Sequence, residues 1–137
     1  MTDEQKPAST EKPRRALIVD DEPDIRETLC EFLVDEGFEA VSAENGKVAS
    51  EKLAAAHFDI VVSDVRMPEM DGVQLLAWIK ENQPRVRMVL MTGFADIRQT
   101  LDASALGCRA FMMKPFKHEE FVKTVNEALQ QVSWAQF

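Results

Sequence analysis

The sequence predicts an α/β fold in which helices cover both faces of a five-stranded parallel sheet. Between residues 16 and 132, short apolar runs alternate five times with amphipathic stretches. The third of these apolar runs, at residues 60–63, is uninterrupted and β-branched, as expected of a strand that is buried on both faces. The connections are short, which predicts parallel strands in the doubly wound order 2-1-3-4-5.

Each of the five predicted βα units consists of one strand followed by one helix. The predicted strands are residues 16–19, 38–43, 60–63, 86–91 and 110–113. After each strand, apolar side chains recur at helical spacing. These helical stripes are Ile25/Leu29/Phe32/Leu33, Val48/Ala49/Leu53/Ala56, Val73/Leu76/Ile79, Ile97/Leu101/Ala105 and Val122/Val125/Leu129/Val132.

Glycine, proline and asparagine mark the predicted ends of these segments. Pro23 suits the first turn of a helix, where its missing N–H is not needed. Gly37 and Gly107 suit the left-handed residue that follows a helix. Asn45-Gly46 is predicted to form a turn, and Pro84 follows the end of the third helix.

The 137 residues fit a single domain better than two. Residues 1–13 are polar and contain two prolines, which predicts a disordered leader. Residues 14–132 are predicted to form the domain, and residues 133–137 a short tail.

The acidic composition excludes several classes of partner. The chain has 24 acidic and 16 basic residues, for a formal net charge of -8, which disfavours nucleic-acid phosphates and anionic membranes. No apolar run approaches the roughly 20 residues that span a bilayer. The N-terminus lacks a signal-peptide core, so a cytoplasmic location is expected. Cys30 and Cys108 are predicted to be buried free thiols, because no Cys-x-x-Cys spacing occurs.

Polar residues end four of the predicted strands. Asp20 and Asp21 follow the first strand, Asp64 the third, Thr92 the fourth and Lys114 the fifth. Ligands of open α/β sheets bind at the carboxyl ends of the strands, so we expect these five side chains to gather there. Helix capping alone would account for the acidic pair, but not for a third carboxylate and an ammonium.

This group of residues predicts a metal-assisted carboxylate nucleophile. Clustered carboxylates repel one another, and a hard divalent cation removes the conflict; oxygen ligands favour Mg²⁺, with Mn²⁺ as an alternative. The sequence has no phosphate-binding glycine loop and no Gly-x-Ser-x-Gly elbow. Aspartate can accept a phosphoryl group as an acyl phosphate.

Four segments carry a resemblance to a known family: Leu17-Ile18-Val19-Asp20-Asp21-Glu22-Pro23, Asp64-Val65-Arg66-Met67-Pro68-Glu69-Met70-Asp71-Gly72, Met91-Thr92-Gly93 and Lys114-Pro115-Phe116. In this order the sequence resembles the receiver domain of two-component response regulators over residues 14–132. The resemblance implies a CheY-like, flavodoxin-like (βα)5 three-layer sandwich. It also implies reversible phosphorylation by a sensor histidine kinase or a histidine phosphotransfer protein.

The resemblance assigns the acidic residues position by position. Asp64 matches the phosphoacceptor. Asp20 and Asp21 match the acidic pair that holds Mg²⁺ together with Asp64, and the backbone carbonyl of Arg66 matches a further metal ligand.

The resemblance also assigns the residues that respond to phosphorylation. Thr92 matches the hydroxyl that turns toward the phosphoryl group, and Lys114 matches the ammonium that pairs with it. Phe111 matches the switch aromatic, where the family frequently has tyrosine. A cis peptide bond is implied between Lys114 and Pro115.

The expected function is that of a stand-alone receiver that signals through protein contacts. The chain ends soon after the last helix, so no output domain is expected, and the only chemistry expected is its own phosphorylation and dephosphorylation. The downstream partner is expected on the face formed by the fourth predicted helix, the fifth strand and the last helix. Neither nucleic acid nor membrane is expected as a partner, and the protein is expected to be a monomer or a phosphorylation-dependent dimer.

Three alternatives fit the residues less well. A haloacid-dehalogenase-type phosphatase would need Asp-x-Asp, where this chain has Arg66 at the second acidic position, and also a cap domain. A flavodoxin-like electron carrier would need a phosphate loop. A phosphorylation-independent pseudo-receiver is disfavoured because the acidic pair, Asp64, Thr92 and Lys114 are all present.

Overall fold

A single parallel sheet organises the chain. The structure, a computed structural model, describes residues 12–93, 108 and 110–130. The strands are β1 Arg15–Val19, β2 Glu39–Ala43, β3 Ile60–Asp64, β4 Arg87–Thr92 and β5 Ala110–Met113. The helices of the described residues are α1 Pro23–Asp35, α2 Gly46–Ala55, α3 Gly72–Asn82 and α4 His118–Gln130. The strand order is β2-β1-β3-β4-β5, which confirms the predicted topology.

Some of the predicted features lie outside the described residues. The stripe Ile97/Leu101/Ala105 with its stop at Gly107 belongs to them, as do Val132, the tail and residues 1–11 of the leader. The fourth predicted helix is among them. Of the predicted partner face, the structure therefore describes only β5 and the last helix, α4.

Apolar residues of the central strands pack on both sides of the sheet. Along β3, Val61 faces a core cluster that includes Leu53 and Leu76 from α2 and α3. Its neighbour Val62 faces a second cluster, which includes residues of α1 and α4 such as Phe121. All residues of β3 are buried, so alternate side chains point into two separate cores. This two-sided burial explains the uninterrupted apolar run in the sequence.

Two strand ends and one turn differ from the prediction. β3 extends to Asp64 and β4 to Thr92, so both polar residues are held within the sheet ladder. The predicted turn at Asn45-Gly46 is wrong, because α2 begins at Gly46. Asn45 is its N-cap, and the side-chain oxygen accepts the N–H of Val48 at 2.8 Å. Asparagine favours caps and turns for the same local hydrogen bond, so the dipeptide alone does not distinguish them.

Gly37 and Gly46 are required for different reasons: Gly37 for its backbone conformation and Gly46 for close packing. Gly37 has a φ of 95° and follows α1, which confirms it as the helix stop. Gly46 donates its N–H to the carbonyl of Met70 at 3.1 Å. A Cβ at Gly46 would overlap that carbonyl, so the loop after β3 lies directly against the start of α2.

β2 forms one edge of the sheet and pairs with β1. Lys52 of α2 reaches this strand, and its Nζ donates to the main-chain carbonyl of Ser42 at 2.6 Å. One carbonyl of the edge strand is therefore occupied by an ammonium group.

The cysteines and the helices bear on two further expectations. Cys30 and Cys108 are free thiols, as predicted, but each is only half-buried. Burial raises the pKa of the Cys30 thiol, although Arg26 and Lys52 act in the opposite direction.

None of the helices in the described part of the chain has the length and apolar character that a bilayer crossing requires.

Candidate functional site

The carboxyl ends of the strands bring the predicted residues to one edge of the sheet. Asp20 directly follows β1, Asp64 and Thr92 end β3 and β4, and Lys114 directly follows β5. β1 and β3 are neighbours, although α1, β2 and α2 separate them in the chain. The sheet topology thus places Asp64 beside the acidic pair, as expected from the sequence.

Three carboxylates converge at this edge. One side-chain oxygen from each of Asp20, Asp21 and Asp64 lies within 4.8 Å of the other two. Asp20 is fully buried, Asp64 is 9% exposed and Asp21 is exposed. Three oxygens at this separation match the hard, oxygen-rich coordination of Mg²⁺, and one solvent-facing side leaves room for water ligands.

Lys114 provides a positive charge to two of these carboxylates. Its Nζ lies 2.8 Å from Asp64 Oδ2 and 3.4 Å from Asp20 Oδ2. The N–H of Lys114 donates to the carbonyl of Thr92 at 2.9 Å, which fixes where the side chain leaves the backbone. The peptide bond between Lys114 and Pro115 is cis, which confirms that expectation.

The pKa shifts follow from burial and from this ion pair. Burial raises the pKa of Asp20, against the lowering effects of the Glu22 N–H and of Lys114, and the charge of Asp64 raises it further. Burial lowers the pKa of Lys114, but the hydrogen bonds and charges of Asp64 and Asp20 outweigh burial and raise it. Lys114 is therefore an ammonium at neutral pH, while burial makes the charged form of Asp20 less favourable.

The loop after β3 holds Asp64 through its backbone. The N–H of Arg66 contacts Asp64 Oδ1 at 3.3 Å, and Val65 donates to the carbonyl of Met91 at 3.1 Å. A Cβ at Gly72 would overlap the carbonyl of Asp64, so only glycine fits there without displacing the loop. The predicted role of the Arg66 carbonyl as a metal ligand stays a prediction.

Thr92 and Phe111 lie where a response to phosphorylation could begin. Thr92 is 1% exposed, and its hydroxyl donates to the carbonyl of Gly93 at 3.1 Å. Phe111 is half-buried and packs against the core cluster on the α2 and α3 side of the sheet. Their roles in switching stay predictions.

Sequence reasoning did not assign a role to Arg26 or Gly72 at this edge, and it assigned Gly46 to a turn. Arg26 Nη1 donates to the main-chain carbonyl of Asp20 at 2.7 Å. Gly72 and Gly46 allow the loop after β3 to pack closely. The one available signal was that Arg26 is the single basic residue between Asp20 and Glu44, among ten acidic residues.

Comparison with known proteins agrees with this geometry. The family described as "Response regulator receiver domain" matches residues 16–126. Chemotaxis protein CheY of Bacillus subtilis is 36% identical over 116 residues, which are 84% of this chain and 97% of CheY. Regulatory protein AtoC of Escherichia coli is 38% identical over 116 residues, which are 85% of this chain and 25% of AtoC.

Solved structures give the same result. The receiver domain of NtrX from Brucella abortus superposes with a TM-score of 0.80 at 30% identity, covering 85% of this chain and 99% of that domain. The chain spans about a quarter of the length of the regulators AtoC and GlrR, but nearly all of CheY. The topology, the carboxylate cluster with its lysine and these similarities lead to one conclusion: the chain belongs to the response regulator receiver domain family.

Proposed function

We propose that Asp64 accepts a phosphoryl group from a histidine kinase or a histidine phosphotransfer protein. The ion pair between Lys114 and Asp64, at 2.8 Å, carries this proposal, because it places a cation on the predicted phosphoacceptor. In the transfer, an Asp64 carboxylate oxygen forms the new P–O bond as the P–N bond of the phosphohistidine breaks. Phosphoryl transfer depends mainly on positioning and on neutralising charge, and this edge of the sheet supports both.

The residues fit a divalent cation. Asp20, Asp21 and Asp64 would hold Mg²⁺, or Mn²⁺ in its place, with the carbonyl of Arg66 as a further ligand. When bound, the ion supplies positive charge to the phosphoryl oxygens and relieves the repulsion among the carboxylates. Buried Asp20 stays in place because its own hydrogen bonds hold it, and exposed Asp21 supplies the ligand on the side open to water.

After transfer, Lys114 and Thr92 respond to the new group. The phosphoryl group carries about −1.5 to −2 charges at neutral pH, so the Lys114 ammonium pairs with one of its oxygens. Thr92 gives up its bond to the Gly93 carbonyl and donates to another. The motion of Thr92 frees space that the half-buried Phe111 ring fills, which shifts an existing equilibrium between two forms.

We also propose that the output is a contact with another protein, at the face that includes β5 and α4. The protein then has no turnover substrate and acts as a cytoplasmic switch, and its acidic balance supports a protein rather than a nucleic acid or an anionic membrane as the partner. The stand-alone form is supported by the match to nearly the whole of CheY. In source cells, immunoblotting is expected to show a band near 15.5 kDa, and a much larger band would contradict the stand-alone form.

Phosphorylation is tested with acetyl phosphate and Mg²⁺. We expect one added phosphoryl mass that is labile to hydroxylamine, absent in Asp64→Asn and suppressed by chelation of the metal. Asp35→Asn is the matched control, because Asp35 is an exposed aspartate at the end of α1. An adduct that persists in Asp64→Asn would overturn the assignment, as would steady hydrolysis of many phosphate esters without a stable adduct.

A further inference from the structure

Arg26 makes an unusual contact for a base in an acidic segment. Between Asp20 and Glu44 there are ten acidic residues and Arg26 is the single basic one. Among the described residues Arg26 forms no salt bridge, and its Nη1 donates to the main-chain carbonyl of Asp20 at 2.7 Å. The side chain is half-buried beside α1 and β2, where it is partly shielded from water.

The carbonyl that Arg26 holds belongs to the peptide group that joins Asp20 to Asp21. A peptide group is planar, so a hydrogen bond to its oxygen restricts rotation of the whole group and thus the direction in which the chain continues at Asp21. The other polar groups of Asp20 are also held. Its N–H donates to Ala43 at 3.2 Å, its Oδ1 accepts the Glu22 N–H at 2.9 Å, and its Oδ2 faces Lys114 at 3.4 Å.

The start of α1 makes this contact more important. Glu22, the N-cap residue, forms no side-chain capping bond. The N–H of Arg26 donates to the Glu22 carbonyl at 3.1 Å, so the backbone of Arg26 closes the first turn while its side chain reaches back to Asp20. One residue therefore joins the helix to the end of β1.

We propose that Arg26 is a positioning residue for divalent-cation binding, because it orients the peptide from which two of the three clustered carboxylates project. The inference rests on the proposed function, since it concerns the same metal site. Positioning and charge have opposite consequences here. The charge of Arg26 alone would oppose a nearby cation, so its removal would strengthen binding, whereas loss of positioning would weaken binding.

The test measures ion affinity directly in the full chain. Mn²⁺ is the probe, followed by its paramagnetic resonance signal, and Mg²⁺ is titrated by calorimetry. We expect Arg26→Gln to bind Mn²⁺ about tenfold more weakly, the lower end of the effect of removing an outer partner of a metal ligand. Arg85→Gln is the control. Arg85 is exposed and lies near the amino end of β4, far from the carboxylates, and its replacement removes the same charge.

Phosphorylation kinetics provide the second readout. For Arg26→Gln we expect the Mg²⁺ concentration at half-maximal rate to rise about tenfold, with the maximal rate at saturating Mg²⁺ kept. Unchanged or tighter Mn²⁺ binding would overturn the inference, and so would a lost maximal rate with unchanged ion affinity. If Arg26→Gln does not fold by circular dichroism, Arg26→Met decides: it keeps the apolar stem of the side chain but has no N–H to donate, so weaker binding supports the inference and unchanged binding overturns it.

The two proposals fail in different ways. Wild-type protein that binds neither Mn²⁺ nor Mg²⁺ would overturn the proposed function. Wild-type protein that binds both ions, with Arg26→Gln binding them equally well, would overturn the role of Arg26 alone.

Discussion

Charged side chains are arranged differently at the two ends of the strands, here called the carboxyl edge and the amino edge of the sheet. At the carboxyl edge three carboxylates lie close together, Asp20 is fully buried, and the Lys114 ammonium contacts two of the three, Asp20 and Asp64. At the amino edge, Arg15 pairs with Glu39 at 3.1 Å and His57 with Asp59 at 3.1 Å, and in each pair one side chain is exposed and the other half-buried. The Arg15 guanidinium also lies 4.5 Å from the centre of the Phe58 ring.

The difference separates paired side chains from a cluster with an excess of one charge. At the amino edge each contact joins one basic side chain to one carboxylate. At the carboxyl edge three carboxylates face one ammonium group, so negative charge is in excess and a divalent cation or a proton would relieve the repulsion. This surplus of negative charge, rather than the number of charges, marks the site.

The largest contrast is expected between Lys114 and Arg15. Lys114→Met removes the cation that contacts Asp64 and Asp20, so the rate of phosphorylation by acetyl phosphate should fall about 10²-fold, as for loss of one preorganised donor. Arg15→Met removes a cation at the amino edge and should leave this rate unchanged. Initial rates by intact-protein mass spectrometry measure both, and equal losses would show that the two edges do not differ in function.

Mg²⁺ should stabilise the folded protein through the carboxylate cluster at the carboxyl edge and not through the amino edge. At tenfold its dissociation constant, Mg²⁺ should raise the free energy of unfolding by about 1.4 kcal/mol, because only the folded chain presents the cluster. Asp20→Asn should abolish this gain, and Asp59→Asn should retain it. Thermal unfolding with and without Mg²⁺ measures the gain, and stabilisation of Asp20→Asn by Mg²⁺ would place the ion elsewhere.

Without metal, Asp20→Asn and Asp59→Asn should change the free energy of unfolding in opposite directions. Asp20→Asn should stabilise the metal-free protein at neutral pH, because burial raises the pKa of Asp20 and makes its charged form unfavourable. Asp59→Asn should destabilise it by about 1 kcal/mol, because Asp59 Oδ2 accepts the Arg15 N–H at 2.8 Å and Oδ1 contacts His57. Urea unfolding measures both, and equal signs would contradict the contrast.

The stabilisation by Asp20→Asn should depend on pH. The pKa of Asp20 is raised above its ordinary value of 3.8, so the folded protein takes up this proton at a higher pH than the unfolded chain. Ionised Asp20 therefore opposes folding above its folded pKa, and this opposition weakens as the pH falls through that pKa toward 3.8. The advantage of Asp20→Asn should shrink over the same interval in urea titrations.

The smallest effect is expected at the exposed pair of Arg15 and Glu39. The Glu39 side chain is 57% exposed, so Glu39→Gln should change the free energy of unfolding by less than about 0.5 kcal/mol. Added salt should reduce even that difference. A change above about 1 kcal/mol would mean that the amino edge depends on this pair more than its exposure allows.

Sequence reasoning was most successful where a residue's position follows from topology. Strand periodicity placed Asp64 and Thr92 at strand ends, and the strand order then brought Asp64 to the acidic pair. It was wrong at Asn45, because the same side-chain bond serves a turn and a helix cap. The contact of Arg26 with the Asp20 carbonyl was not predictable, since composition shows a base but not which atom it reaches.

The bond from Lys52 to Ser42 bears on how this protein behaves when crowded. An edge strand offers main-chain groups on which another molecule can build further strands, the first step of aggregation. Lys52 occupies one of these carbonyls with a hydrated ammonium that an incoming strand would have to displace. This contact would oppose sheet growth at β2, which lies at the opposite side of the sheet from β5, where the proposed output contact lies.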